Sequence, residues 1–125
     1  MDKSIFEEFI DYYIKAWQNY TNFSGRARRK EFWYVFIINL LISLVLGVFQ
    51  ETFLGAIASL VSIIYSLAFI LPGIALSIRR LHDTGRSGWW LLIGFVPIIG
   101  VIVLIVFFAS DSQPGPNQYS ADTMA

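Results

Sequence analysis

Three apolar runs without a charged side chain, residues 32–49, 53–78 and 89–109, constrain this chain more than any other feature. A helix rises about 1.5 Å per residue, so roughly 20 apolar residues cross the roughly 30 Å hydrocarbon core of a bilayer. The first run is near the lower limit, the third fits, and the second must tilt or bend. The expected fold is an all-α membrane protein with three transmembrane helices preceded by an amphipathic N-terminal helix. Hydrophobic residues form 56% of the chain and charged ones 14%, where soluble domains carry about 45–50% and about 25%. With the spans in the bilayer, little remains for a separate soluble core. The chain has no cysteine, which excludes disulfides, thiolate metal sites and cysteine nucleophiles.

Residues 4–20 form the expected amphipathic helix. Phe6, Phe9, Ile10, Tyr13 and Trp17 recur at helical spacing, opposite Asp2, Glu7, Glu8, Asp11, Lys15 and Gln18. Such a stripe suits either the membrane interface or the ends of the spans. A secretory signal would start basic and carry a short apolar stretch. Here the first run begins near residue 32, so that span is expected to be retained.

Orientation follows from charge. Seven of the nine Lys and Arg residues flank the spans: Arg26, Arg28, Arg29 and Lys30 before the first, and Arg79, Arg80 and Arg86 between the second and third. The connection Gln50-Glu51-Thr52 has none. Basic residues stay cytoplasmic during insertion, so the N-terminus is expected inside and, after three crossings, the C-terminus outside. Gly94, Pro97 and Gly100 interrupt the third run and could instead make it re-entrant, with the tail inside. Its length favours a full crossing.

Within the second run, Ala58, Ser62 and Ser66 recur every four residues, a spacing that lets helices approach closely. Packing within the chain accounts for them, and a dimer interface is the alternative. Pro72-Gly73 is expected to bend this helix or loosen its last turns. Residues 110–117 have turn and coil chemistry, and residues 120–125 are expected to be disordered.

Three segments together resemble one known family. They are Phe23-Ser24-Gly25-Arg26-Ala27-Arg28-Arg29-Lys30-Glu31-Phe32-Trp33, then Arg79-Arg80-Leu81-His82-Asp83-Thr84-Gly85-Arg86-Ser87-Gly88-Trp89-Trp90, and Pro114-Gly115-Pro116-Asn117-Gln118-Tyr119. Their order, with apolar spans between, resembles the DUF805 family of small bacterial inner-membrane proteins. The resemblance implies a multi-pass helical protein of the bacterial cytoplasmic membrane and carries no mechanism or catalytic residues. It divides the chain into an interfacial helix (1–22), a membrane domain (23–119) and a tail (120–125).

The candidate binding residues are Arg26, Arg79, Arg80, His82, Asp83 and Arg86, gathered at one membrane surface. A guanidinium fork holds phosphate or carboxylate bidentately, and glycine N–H groups can assist, so an anionic phospholipid headgroup is a sensible ligand. The plainer reading is that such residues only orient the spans. Glu31 and Asp83 are expected in salt bridges, because an unpaired carboxylate beside a low-dielectric region is unfavourable. His82 is the lone histidine and reads as a hydrogen-bonded loop residue; a metal site needs three or four ligands. No metal, cofactor or nucleic acid is expected. Asp83-Thr84-Gly85 mimics an aspartic-protease triplet but lacks its partner aspartate.

These residues favour a non-enzymatic accessory protein whose arginine-rich cytoplasmic face binds phospholipid headgroups or a protein partner. A small oligomeric channel or transporter subunit is the alternative, weakened because only Asn39 and a few serines are polar inside the spans. A lipid or envelope-precursor enzyme would use His82 and Asp83, with arginines holding a phosphate.

Overall fold

Ser4 begins the described structure by capping a helix. Its Oγ accepts from the Glu7 N–H at 3.2 Å, while Glu7 and Glu8 sit at the positive end of the helix dipole. The structure is a computed structural model and describes residues 4–119. The expected disordered tail, 120–125, lies outside the described residues. Helix α1 spans Ile5–Gln18, α2 Arg29–Gln50 and α3 Gly55–Asp83; a 3-10 helix, Gly88–Phe95, and α4, Ile99–Ala109, follow.

α2 and α3 are long and apolar enough to cross a membrane. Only 11% of the apolar window of either helix is buried, whereas the core helix of a soluble protein is mostly buried. Their exposed residues, such as Leu44, Val48, Ile57, Leu60 and Leu67, are ones that lipid accommodates. α3 runs through Pro72 to Asp83 without ending, so its last turns are not lost. At about 43 Å it outreaches the roughly 30 Å hydrocarbon, which carries Arg79–Asp83 beyond the apolar region. Ala58 is buried and the Ser62 hydroxyl accepts from Gln50 Nε2 at 3.1 Å, so both serve contacts within the chain.

The third run departs from the single long helix expected of it. It breaks after Phe95, and α4 has 11 residues, about 16 Å, or half the hydrocarbon thickness. At the break, the Ile99 N–H bonds to the Pro97 carbonyl at 2.7 Å around Ile98, whose φ is 65° and ψ −65°. This is a γ-turn of the rare, strained hand. Pro97 cannot supply a helical N–H, and Gly100 lets the hairpin close. A Cβ at Gly100 would lie 1.7 Å from the Ile93 carbonyl oxygen.

The hairpin enters and leaves at one end of the molecule. Gly88 packs on Ile78 near the end of α3. At its other end, the Phe108 carbonyl accepts from Trp33 Nε1 at 3.2 Å and from Arg80 Nε at 2.8 Å. In place of a third long helix, the structure has two long apolar helices followed by a short hairpin of the 3-10 helix and α4. The buried core, formed by Ala16, Ala27, Phe32, Val35, Leu76, Leu81, Leu104 and Phe108, gathers at that same end.

α1 packs across α2 and α3. Phe9 stacks on Tyr34 with ring centroids 4.0 Å apart, and Trp17 meets Phe69 edge-on at 5.7 Å. Lys15 pairs with Glu31 and Glu8 with Lys30. The apolar stripe is thus divided. Phe9, Tyr13 and Trp17 turn toward the spans, while Phe6, Ile10 and Ile14 stay exposed.

Candidate functional site

The candidate residues fall into three groups at the end where α2 begins and α3 ends. The first is a closed ionic clasp. Asp83 is fully buried and receives Arg26 Nε at 3.0 Å on one carboxylate oxygen. Its other oxygen receives Arg80 Nη1 at 2.6 Å and the Ser112 hydroxyl. The remaining guanidinium donors turn to backbone. Arg26 reaches the Gly115 and Gln113 carbonyls, each at 2.6 Å. Arg80 reaches those of Ala27, Phe108 and Ser110. Both side chains are at most 1% exposed. Removing one member would strand a buried charge, whereas the assembled network compensates each charge with partners.

The C-terminal segment completes this clasp. The Gln113 N–H donates to the Asp83 carbonyl at 2.7 Å, and Asn117 Nδ2 donates to that of His82 at 2.9 Å. The His82 ring lies flat on Tyr119, with centroids 3.8 Å apart and planes 2° apart. His82 Nδ1 faces the Gly25 carbonyl at 3.0 Å, which requires the proton on that nitrogen. His82 and Asp83, adjacent in sequence, therefore serve different partners. Gly85 makes the exit from α3 possible with φ of 80°, a backbone that a side chain would strain.

The second group is a buried half-pair. Arg79 Nη1 donates to Glu31 Oε2 at 3.3 Å, and Lys15 of α1 donates to the other Glu31 oxygen at 3.3 Å. Among the described residues, Arg79 Nε and Nη2 have no hydrogen-bond partner, although this side chain is 2% exposed. The third group is cationic and has no carboxylate partner among the described residues. The Arg86 guanidinium lies 3.9 Å over the Phe107 ring. Arg28 donates to the Tyr12 hydroxyl at 3.3 Å. No cluster of three His, Cys, Asp or Glu side chains that could hold a metal stands among the described residues.

The motif segments thus converge on a single place: residues 23–33 supply Arg26, Ala27 and Glu31, residues 79–90 supply Arg80, His82 and Asp83, and residues 114–119 supply Gly115, Asn117 and Tyr119. The model of the family described as a protein of unknown function, DUF805, matches residues 20–121 and so takes in the whole clasp. The chain belongs to the DUF805 family. Inner membrane protein YhaI of Escherichia coli strain K12 is 47% identical over 113 residues, covering 90% of this chain and 95% of that one. Inner membrane protein YhaH of the same strain is 39% identical over 116 residues, covering 90% and 96%. No solved structure matches. Apolar helices and relatives named for the inner membrane make this DUF805 chain a membrane protein. α1 ends before the matched region begins, yet it contributes Lys15 to the Glu31 pair.

A second place was not singled out from sequence. A groove of about 830 Å³ runs between α3 and the 3-10 helix, bounded by α2 and Leu104 of α4. Most of its wall is apolar, including Phe69, Ile74, Trp89 and Phe95, but Asn39 and Tyr65 also line it. The Tyr65 hydroxyl donates to Asn39 Oδ1 at 2.7 Å, and the Tyr13 hydroxyl lies 2.6 Å from that of Tyr65. The signal for it was Asn39, the one amide inside the apolar runs.

Proposed function

We propose that this chain is a non-enzymatic accessory protein of the bacterial cytoplasmic membrane that offers Arg86 and Arg28 to anionic phospholipid headgroups. Arg86 carries this reading. It is a cation held on an aromatic face with no carboxylate partner among the described residues, beside the exposed Trp89 and Trp90. Tryptophan favours headgroup depth, and each arginine near an anionic leaflet is worth about 1 kcal/mol of attraction. The headgroup role falls to these two because the donors of Arg26 and Arg80 are spent on Asp83 and on backbone carbonyls.

The same reading gives the topology. α2 and α3 cross the membrane, the 3-10 helix and α4 dip in and return, and the N-terminus and the segment after Ala109 share the cytoplasmic side. Basic residues concentrate at that end, in keeping with their retention inside. The accessory role is then to sit at the inner leaflet, bound to lipid and available to a protein partner or a second copy.

Native mass spectrometry after gentle extraction tests the binding. The wild-type protein is expected to retain anionic phospholipid, and the double variant Arg28→Ala, Arg86→Ala to lose most of it while remaining folded. Equal retention by the two proteins, or no lipid on either, would remove the headgroup role.

A further inference from the structure

Helix α1 is apolar on more of its circumference than its packing uses. At about 3.6 residues per turn, Phe9, Tyr12 and Ala16 share the inward face. One flank then carries Tyr13 and Trp17 and, further round, Phe6, Ile10 and Ile14. The other carries Glu8 and Lys15 and, further round, Glu7, Asp11 and Gln18. Phe6, Ile10 and Ile14 are 76%, 56% and 47% exposed, a contiguous apolar stripe with no cover from the rest of the described chain.

Contacts fix the direction in which each flank points. Tyr13 and Trp17 meet α3 well inside its apolar stretch. Both face Phe69, with ring centroids 6.4 Å and 5.7 Å away, and the Tyr13 hydroxyl lies 2.6 Å from that of Tyr65. Phe69 and Tyr65 precede Arg79 by roughly 15 Å and 21 Å along the helix. The opposite flank points to the charged end. Lys15 reaches Glu31 at 3.3 Å, and Lys30 reaches Glu8 at 2.8 Å, both in the first turn of α2. α1 therefore lies crosswise on the pair, with its apolar flank turned along the apolar stretch and its polar flank turned away from it.

The stripe continues the exposed surface of α2 and α3, whose apolar windows are only 11% buried. For a membrane protein, the medium around those windows is acyl chain. A crosswise helix with one apolar and one polar flank has the form of an interfacial helix, whose apolar side sinks roughly 5–10 Å into the boundary between headgroups and acyl chains. Charge supplies none of the attraction here. Lys15, the one basic side chain between Ile5 and Gln18, is paired with Glu31, and an anionic headgroup would repel Glu7 and Asp11.

We propose that the face of α1 formed by Phe6, Ile10 and Ile14 is a lipid-contact surface, set among the acyl chains of the leaflet at the charged end of the molecule and seated there without anionic lipid. One half of the N-terminal stripe thus docks α1 on α2 and α3, and the other half docks it on the leaflet. This surface rests on α2 and α3 lying in the bilayer and is independent of the headgroup role of Arg28 and Arg86.

Spin labelling tests it, because the chain has no native cysteine to compete for the label. Phe6, Ile10, Ile14, Glu7, Asp11 and Gln18 are each changed to cysteine in the full chain; all six are exposed, so a label displaces no packing. The labelled proteins are reconstituted in vesicles of phosphatidylcholine alone. Collision with oxygen, which concentrates in hydrocarbon, is compared with collision with a water-soluble nickel chelate. The oxygen-to-nickel ratio is expected to be several-fold higher at Phe6→Cys, Ile10→Cys and Ile14→Cys than at the other three, and close to that at Leu44→Cys on the exposed side of α2. Equal ratios on the two flanks would put the stripe in water and overturn the proposal. Immobile labels that neither reagent reaches at Phe6, Ile10 and Ile14 would also overturn it, marking the stripe as covered by a second copy or another protein. A high ratio that appears only after phosphatidylglycerol is added would overturn seating without charge. A low ratio at Leu44→Cys would overturn the membrane placement of α2 and the proposal with it, which separates that failure from failure of the α1 surface alone.

Discussion

The two ends of the α2–α3 pair are built on opposite principles. Where α2 starts and α3 finishes, Asp83 and Glu31 each hold two cationic partners, and chain segments distant in sequence are tied through guanidinium groups and backbone carbonyls. Where α2 hands over to α3, Gln50 bonds Ser62, Thr52 closes a turn on Phe49, and the neighbouring side chains are apolar and exposed. Within lipid, apolar surface gives helices little reason to prefer one another over acyl chains. The polar end therefore sets which segments meet, and the apolar end is free to adapt to the bilayer. A clasp of this kind gives one arrangement of α2, α3, the hairpin and the tail.

Removing the charge at the centre of the clasp should break this contrast most severely. Asp83→Asn leaves Arg26 and Arg80 buried without their anion, and thermal unfolding in detergent should show a loss of about 3–5 kcal/mol. The matching change at the far end, Gln50→Ala, is expected to cost under about 1 kcal/mol, as for a single exposed hydrogen bond. Gly100→Ala comes next, at about 1–3 kcal/mol, because the added methyl would overlap the Ile93 carbonyl oxygen and force the hairpin open. Protease access to residues near Pro97 should rise with it. Arg29→Ala should do least. Its pair with Asp111 is half to mostly exposed, so the melting curve should shift by less than about 1 kcal/mol, and less still in high salt.

Much of this contrast can be read in the sequence, and the parts that cannot have physical reasons. The first two runs became α2 and α3 because continuous apolar length is a strong signal. That Glu31 and Asp83 need cationic partners follows from their place beside apolar segments; which arginine takes which oxygen does not. The third run satisfied the length criterion for a crossing, yet as a helix it is broken at Pro97, by the γ-turn at Ile98 and by the close approach at Gly100. Gly94, Pro97 and Gly100 gave the warning, but their strength depends on packing that a sequence does not display. Residues 110–117 read as coil, since their structure comes from contacts with Asp83, His82, Arg26 and Arg80 and not from their own periodicity. Arg26 and Arg80 read from sequence as candidate binding groups, and composition does not reveal that they also bond to Asp83 and to backbone carbonyls. The groove was foreshadowed only by Asn39, whose partners Tyr65 and Tyr13 lie on two other helices.

The central claim is that the clasp brings the tail back to the side from which the chain entered. The absence of cysteine makes this directly measurable. Single cysteines at Thr21, Glu51 and Asp111 can each be challenged with a membrane-impermeant maleimide in spheroplasts, before and after permeabilisation. The account predicts that the variant at Glu51 is labelled from outside, while those at Thr21 and Asp111 react only after the membrane is opened. Labelling of the Asp111 variant from outside, together with Glu51, would contradict it and restore three crossings.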